Sequence, residues 1–282
     1  MKSKHKVKDF CLFGLPGLFC FFAVVIIPFI YGVYLTFTDW DGVSSEKHFI
    51  WFENFKGVIR DGEFWTSLLL TFKYVIVVVI LVNVIAFVIA YLLTRGIKGQ
   101  NFFRAGFFTP NLIGGIVLGY IWQLIFNGIL AKYHTALGLN EWYGFWGLII
   151  LVSWQQIGYM MIIYIAGLQS IPGDVMEAAQ IDGANRIQRL FKVTIPMMMP
   201  SITICTFLTL TNSFKLFDQN LALTNGEPSN MSEMLALNIY NTFYGRTGWE
   251  GVGQAKAVIF FILVGAIAMI QNRLTRSKEV QQ

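Results

Sequence analysis

The chain has 282 residues, 55% of them hydrophobic and 13% charged, with 26 phenylalanines, 8 tryptophans and a net charge of +5. So oily a composition excludes an ordinary soluble domain and indicates an integral membrane protein. The apolar runs are long and continuous, which excludes a membrane β-barrel built from alternating segments of ~10 residues. The expected fold class is therefore all-α, a polytopic bundle of six transmembrane helices in a single domain, residues 1–282.

In chain order, Lys2, Lys4, Lys6 and Lys8 precede the first span, 10–37. Its apolar run is too long for a signal-peptide core and has no obvious small-residue cleavage site, so it is expected to remain as a signal anchor. An acidic, aromatic connection, 38–66, follows. There Phe52, Phe55 and Ile59 recur at helical spacing with Glu53, Lys56 and Arg60 between them, which predicts a short helix anchored at headgroup depth. The second span, 67–93, carries Lys73 at its start, where an ammonium can snorkel to the interface, and Asn83, expected to join helix to helix. A turn with Arg95, Lys98 and Arg104 leads into the third span, 104–127, which contains Gln123. The fourth span, 145–169, carries Gln155, Gln156 and Tyr159. After a charged loop, 173–196, the fifth span, 200–222, carries Asn212, Ser213, Lys215 and Asp218. Asn225-Gly226 followed by Pro228 marks a turn; 231–244 then reads as a helix before the last span, 253–272.

Thirteen of the 21 basic residues lie on one side: the four N-terminal lysines; Arg95, Lys98 and Arg104; Arg186, Arg189 and Lys192; and Arg273, Arg276 and Lys278. Five lie on the other: Lys47, Lys56, Arg60, Lys132 and Arg246. The positive-inside rule then places both termini and the 173–196 loop in the cytoplasm. This bias accounts for the net charge, because basic flanks face anionic lipid headgroups; no nucleic-acid role is needed. Cys11, Cys20 and Cys205 sit in apolar runs without metal-ligand spacing and read as small buried side chains.

A polar group in hydrocarbon is costly and implies a partner, a cavity or a pathway. Lys215 and Asp218, three apart, suit an ion pair on one helical face as well as a role in transport. Gln155, Gln156, Tyr159 and Asn212 suit the lining of a hydrated path, and amides, hydroxyls and aromatic faces are also what a neutral sugar requires. No catalytic pattern is present. His5, His48 and His134 lack paired ligand spacing, there is no phosphate-cradling glycine loop, and no G-x-S-x-G occurs. If energy is consumed, another chain must bind the nucleotide.

The loop reads "EAAQIDGANRIQRLFKVTIP", Glu177 to Pro196. Asp174 is expected as an N-cap with Glu177 in a capping-box position, the helix running to Asp182. Gly183 permits the turn. A second helix is expected over 184–193, ended by Pro196, with Pro200 opening the next span. The small Ala178, Ala179 and Ala184 allow close backbone approach, which suits either a docking knob or an amphipathic connector.

This stretch closely resembles the E-A-A-x-x-D-G-A…F…I-x-x-P signature of permease subunits of ATP-binding-cassette (ABC) importers, through Glu177, Ala178, Ala179, Asp182, Gly183, Ala184, Phe191, Ile195 and Pro196. "FFRAGFFTPNLIGGIVLGYIWQLIFN" and "FDQNLALTNGEPSNMSEMLALNIYNTFY" resemble the branch that includes the maltose, glycerol-phosphate and multiple-sugar permeases. The resemblance implies the six-span type I importer bundle in a bacterial cell membrane, without the large outer insertion and extra N-terminal spans of the maltose subunit. It implies a coupling helix formed by Glu177, Ala178, Ala179, Asp182, Gly183 and Ala184, seated in a groove of a cytoplasmic ABC ATPase dimer. Glu177 and Asp182 would meet basic groups there. It implies a second homologous permease, an extracytoplasmic sugar-binding protein, and contact with membrane lipid. No cofactor is expected on this chain, ATP and Mg being used by the ATPase. Sugar contacts would fall at Gln155, Gln156, Tyr159, Asn212, Ser213 and Leu216, near which Lys215 and Asp218 depart from the family pattern. The implied function is uptake of a sugar of oligosaccharide size. The competing expectation is a secondary transporter of a polar solute driven by an ion gradient, for which Asp218 is the candidate relay carboxylate. A receptor-like or assembly protein is a third.

Overall fold

The computed structural model describes residues 10–276, so the expectations for Lys2, Lys4, Lys6, Lys8, His5 and Lys278 fall outside the described residues. The helices are α1 (Leu12–Leu35), α2 (Glu53–Arg60), α3 (Gly62–Leu93), α4 (Gln100–Phe108), α5 (Gly115–Leu130), α6 (Glu141–Gln169), α7 (Gly173–Ile181), α8 (Arg186–Met197), α9 (Met199–Phe214), α10 (Asp218–Leu223), α11 (Leu235–Gly245) and α12 (Glu250–Arg276). Among the described residues, β-structure is limited to an isolated bridge between Thr38 and Phe49. By length and composition α1, α3, α5, α6 and α12 can each cross a membrane, and α9 reaches span length only when counted with α8, from which it is bent by 69°.

Two expected spans are not continuous. The third is split, because α4 ends at Phe108, a 3₁₀ turn covers Thr109–Leu112 and α5 begins only at Gly115. Pro110 accounts for this, since it lacks an N–H and clashes with a preceding helical turn. The fifth stops at Phe214 and resumes as α10.

The chain divides into two units. The first comprises residues up to Gly62 together with Ile239–Phe261. Here α12 begins with glycines that let neighbours approach closely, as small residues do in membrane helix contacts. A Cβ built at Gly253 would meet the Phe243 backbone at 2.9 Å, and one at Gly251 the Asn54 amide. Asn54 donates from Nδ2 to the carbonyls of Thr36 and Thr38, both at 2.9 Å, fixing α2 against the end of α1. Phe37 stacks on Phe49, meets Phe52 edge to face and packs at a tilt against Phe55. In the connecting loop, the Asp39 carboxylate accepts the His48 backbone N–H at 2.6 Å and Asp41 accepts those of Ser44 and Val43 at 2.7 and 3.1 Å. These backbone donors hold both carboxyls below the ordinary carboxylate pKa.

The second unit comprises Glu63–Asn238 and Ile262 onward. A Cβ at Gly158 of α6 would collide with the Phe107 carbonyl, so α6 and the end of α4 are in backbone contact. Gly119 of α5 likewise faces Ala222 of α10. Asn83 joins three helices: its Oδ1 accepts from Tyr164 Oη at 2.7 Å and its Nδ2 donates to Thr209 Oγ1 at 3.3 Å. Gln123 Nε2 donates to the Leu223 carbonyl at 3.0 Å. The fully buried Asn220 organises the connection to α11, donating to Thr224 Oγ1 and the Ser232 carbonyl, both at 2.9 Å, and accepting the Met234 N–H at 2.8 Å. With no water in the hydrocarbon region, each such polar group must find its partner inside the protein.

Candidate functional site

At the break between α9 and α10, residues 215–217 leave the helix, with Lys215 as the C-cap of α9 (φ −83°, ψ 16°). The segment "TNSFKLFDQN" contains neither glycine nor proline. The break is held instead by hydrogen bonds of the residues just beyond it: Asn220 as above, and Gln219, whose Nε2 donates to Gln155 Oε1 at 2.8 Å. Lys215 and Asp218 therefore do not share a helical face, and no ion pair within 4.0 Å joins them among the described residues.

The break opens a cleft of about 240 Å³ lined by Asn111, Gln155, Gln156, Asn212, Lys215, Leu216 and Gln219. Five of these seven side chains are amides. Gln155 is 8% exposed and engaged at both ends, its Nε2 donating to the Ile113 carbonyl at 3.1 Å. It is a positioned wall. Gln156 differs: its buried Oε1 accepts no hydrogen bond among the described residues. An acceptor left unsatisfied costs on the order of 1–3 kcal/mol, which a ligand hydroxyl would relieve.

Of the six side chains expected along a substrate path, Gln155, Gln156, Asn212 and Leu216 line this cleft, and Ser213 and Tyr159 do not. Ser213 follows Asn212 by ~100° around the helix and is fully buried with no partner for its Oγ among the described residues. Tyr159 is 38% exposed on α6 outside the cleft. Asn111 and Gln219 were not singled out from the sequence. Asn111 follows Pro110 in a turn, and Gln219 reaches the cleft only because α9 breaks.

The charged loop forms a compact corner. α7 starts at Gly173 with Pro172 as N-cap and no side-chain cap, so Asp174 is a first-turn residue favoured by the helix dipole rather than the expected cap. Gly183 has φ +79°. The Gly183 N–H donates to the Gln180 carbonyl at 3.1 Å and the Ala184 N–H to that of Ala179 at 3.0 Å, which is the Schellman arrangement. The capping box lies two residues later: Asn185 Oδ1 accepts the Gln188 N–H at 2.9 Å and Gln188 Oε1 accepts the Asn185 N–H at 2.8 Å. Arg189 Nη1 then donates to Gln180 Oε1 at 3.0 Å, tying the two helices together. α8 runs through Pro196, contrary to the expected stop there. A π-helical stretch, Leu190–Thr194, precedes the proline, and the turn comes at Met198, ahead of Pro200.

Glu177, Ala178, Asp182 and Gly183 are exposed on this corner, with Ala179 and Ala184 half-buried. Ile181, Ile187 and Phe191 are exposed beside them at 85%, 69% and 63%. A rigid knob presenting apolar side chains among charges is suited to seating in another protein.

One buried cluster in the first unit went unread in the sequence. Lys256 of α12 is fully buried, with Nζ 2.6 Å from Asp61 Oδ2 and 2.6 Å from Thr242 Oγ1, and Arg246 Nη1 lies 3.5 Å from the same Asp61 oxygen.

The family model described as binding-protein-dependent transport system inner membrane component matches residues 83–278. The chain is 46% identical over 278 residues to the probable starch degradation products transport system permease protein AmyD of Thermoanaerobacterium thermosulfurigenes, covering 96% of this chain and 94% of that protein. It is 32% identical over 262 residues to the multiple sugar-binding transport system permease protein MsmF of Streptococcus mutans, covering 90% of each. Among solved structures, it superposes with a TM-score of 0.81 on a chain from a bacterial alginate ABC transporter in complex with an alginate pentasaccharide-bound periplasmic protein, covering 97% of this chain and 96% of that one. At 17% identity, that likeness speaks for the fold.

Proposed function

Because this chain belongs to the family of binding-protein-dependent transport system inner membrane components, we propose that it is a permease subunit of an ATP-driven importer whose cargo is a sugar of oligosaccharide size. The single observation that carries the cargo reading is the amide-lined cleft at the α9–α10 break, with the unsatisfied Gln156 acceptor in its wall. Amides donate and accept at once, as a ring of sugar hydroxyls requires. The starch-product and multiple-sugar names of its relatives support the same cargo class. Gln156, Asn212 and Leu216 would meet the sugar, with Gln155 and Gln219 holding the wall. Tyr159 and Ser213 would act from neighbouring positions.

The remaining machinery belongs to other chains in this reading. A second homologous permease would complete the pathway, an extracytoplasmic sugar-binding protein would deliver the cargo, and a cytoplasmic ATPase dimer would use ATP and Mg. The basic bias puts both termini and the 173–196 corner on the cytoplasmic side. There Glu177, Ala178, Ala179, Asp182, Gly183 and Ala184 would seat in the ATPase. Its closure would push on the corner, and α8 would carry the movement to α9 and the cleft, alternating access between the two sides.

The test is reconstitution of the full complex in proteoliposomes, with labelled oligosaccharide uptake and ATPase rate read together. Gln156→Leu should lower transport about tenfold at limiting sugar, the worth of one hydrogen bond to a buried acceptor. Unchanged transport in both Gln156→Leu and Asn212→Leu would remove the cleft from the pathway. Uptake by this chain alone under a pH or sodium gradient would establish the ion-driven alternative instead.

A further inference from the structure

A second cleft, of about 300 Å³, lies between the end of α3 and the corner formed by α7 and α8. It is lined by Tyr91, Arg95, Met176, Arg186, Arg189, Leu190 and Thr194, and so brings three guanidinium groups to one cavity with no carboxylate in the lining. Converging cations of this kind repel one another unless an anion sits among them.

The arginines are held in place by neutral partners. Arg95 lies over the Tyr91 ring at 4.4 Å, and Tyr91 is stacked on Phe87, which meets Tyr164 edge to face. Arg189 uses Nη1 on the Gln180 amide, while its buried Nε donates to nothing among the described residues. Arg186 opens α8. None of the three makes a salt bridge within 4.0 Å among the described residues. Guanidinium groups match phosphate oxygens with paired donors. The rest of the lining is Met176, Leu190 and the Thr194 hydroxyl, so an anion held here would have apolar surface beside it.

We propose that the Arg95, Arg186 and Arg189 cleft binds a phosphate group, carried by an anionic phospholipid headgroup whose glycerol and upper acyl carbons lie against Met176 and Leu190. Basic pockets between membrane helices take such headgroups. The apolar floor favours lipid over free phosphate. Because the cleft is shared between α3 and the corner, occupancy would brace the loop that α8 connects to the cargo cleft. This assignment does not depend on which sugar is carried.

The test is native mass spectrometry of the full chain, purified in detergent and supplied with phosphatidylglycerol or phosphatidylcholine at equal mole fraction, or with inorganic phosphate alone. Phosphatidylglycerol should be retained on the order of tenfold better than phosphatidylcholine, and Arg95→Gln with Arg189→Gln should erase that preference. The Arg95→Lys, Arg189→Lys pair, which keeps the charge but not the paired donors, should retain part of it and controls for folding. Inorganic phosphate occupying the site as well as the lipid would assign it to a free anion and overturn the lipid source. Equal retention of the two lipids, or a preference unchanged in the glutamine pair, would overturn the site. Loss of ATPase copurification in the glutamine pair with lipid retention intact would likewise overturn it, assigning the arginines to an acidic protein partner.

Discussion

Lys256 shows how a single residue can be costly and stabilising at once. Its ammonium is fully buried, and the Asp61 carboxylate 2.6 Å away and the Thr242 hydroxyl keep it tolerable. Removing Lys256 leaves the buried Asp61 carboxylate with the longer Arg246 contact at 3.5 Å in place of the 2.6 Å one, a loss of up to about 3 kcal/mol. Lys256→Met should therefore lower the midpoint of thermal unfolding in detergent sharply, whereas Lys256→Met combined with Asp61→Leu should recover most of the loss; equal midpoints for the single and double variants would refute the pairing. Gly158 makes the complementary case. A Cβ there collides with the Phe107 carbonyl, so Gly158→Ala should cost about 1–3 kcal/mol, while Gly265→Ala, with nothing within 4 Å, should be neutral. The sequence did not disclose Lys256, because a lone lysine near the start of a span resembles one that snorkels. Its partner is 195 positions away, at a distance no local pattern encodes.

At the scale of elements, the 183–188 corner was half readable. Gly183 announced its positive φ, as glycine after a helix does. The capping box was displaced from Asp174 and Glu177 to Asn185 and Gln188, because the first helix begins two residues earlier than an Asp174 cap implies, at Gly173, and leaves Asp174 inside it. A β-branched residue at φ +79° carries about 1–2 kcal/mol of strain. Gly183→Val should thus abolish ATP-coupled uptake in the reconstituted complex while membrane insertion persists, and Gly173→Ala, at a negative φ, should leave uptake near normal. Asn185→Ala should weaken the corner by about 1 kcal/mol, seen as faster amide exchange across 183–190. The α9–α10 break was illegible for a different reason: it uses no helix breaker and depends on Gln219 and Asn220 finding partners elsewhere in the chain. The loop with Asp39 and Asp41 has a pH signature. Both carboxyls titrate below their ordinary value because they accept backbone N–H groups, and Asp39 also because the His48 ring nitrogen lies 3.0 Å from its Oδ2. Their contribution is present above the unfolded carboxylate pKa of about 4 and disappears as pH falls through the lowered folded values. Limited proteolysis of residues 39–48 should accordingly stay constant from neutral pH down to about 4 and accelerate only in stronger acid. Acceleration already between pH 7 and 5 would contradict this origin.

For the whole molecule, the membrane class follows from composition and most of the spans from the lengths of the apolar runs, because hydrocarbon thickness and backbone satisfaction leave few solutions; the breaks in the third and fifth do not. What composition could not supply was the polar wiring between spans, set by Asn83, Gln123 and Gln155, whose partners lie 42 to 126 positions away. The elbow at Met198 adds a mechanical consequence. From Arg186 to Met197 the chain forms an arm of ~18 Å, and α9 beyond it a second of ~24 Å, at 1.5 Å per residue. With 69° between them, the pair is a bell crank whose pivot is Met198. A thrust of ~2 Å on the end of the shorter arm would swing the far end of the longer one by ~3 Å. A swing of that size at Phe214 would be comparable with the 2.8 Å hydrogen bond that Gln219, just beyond it, makes to Gln155.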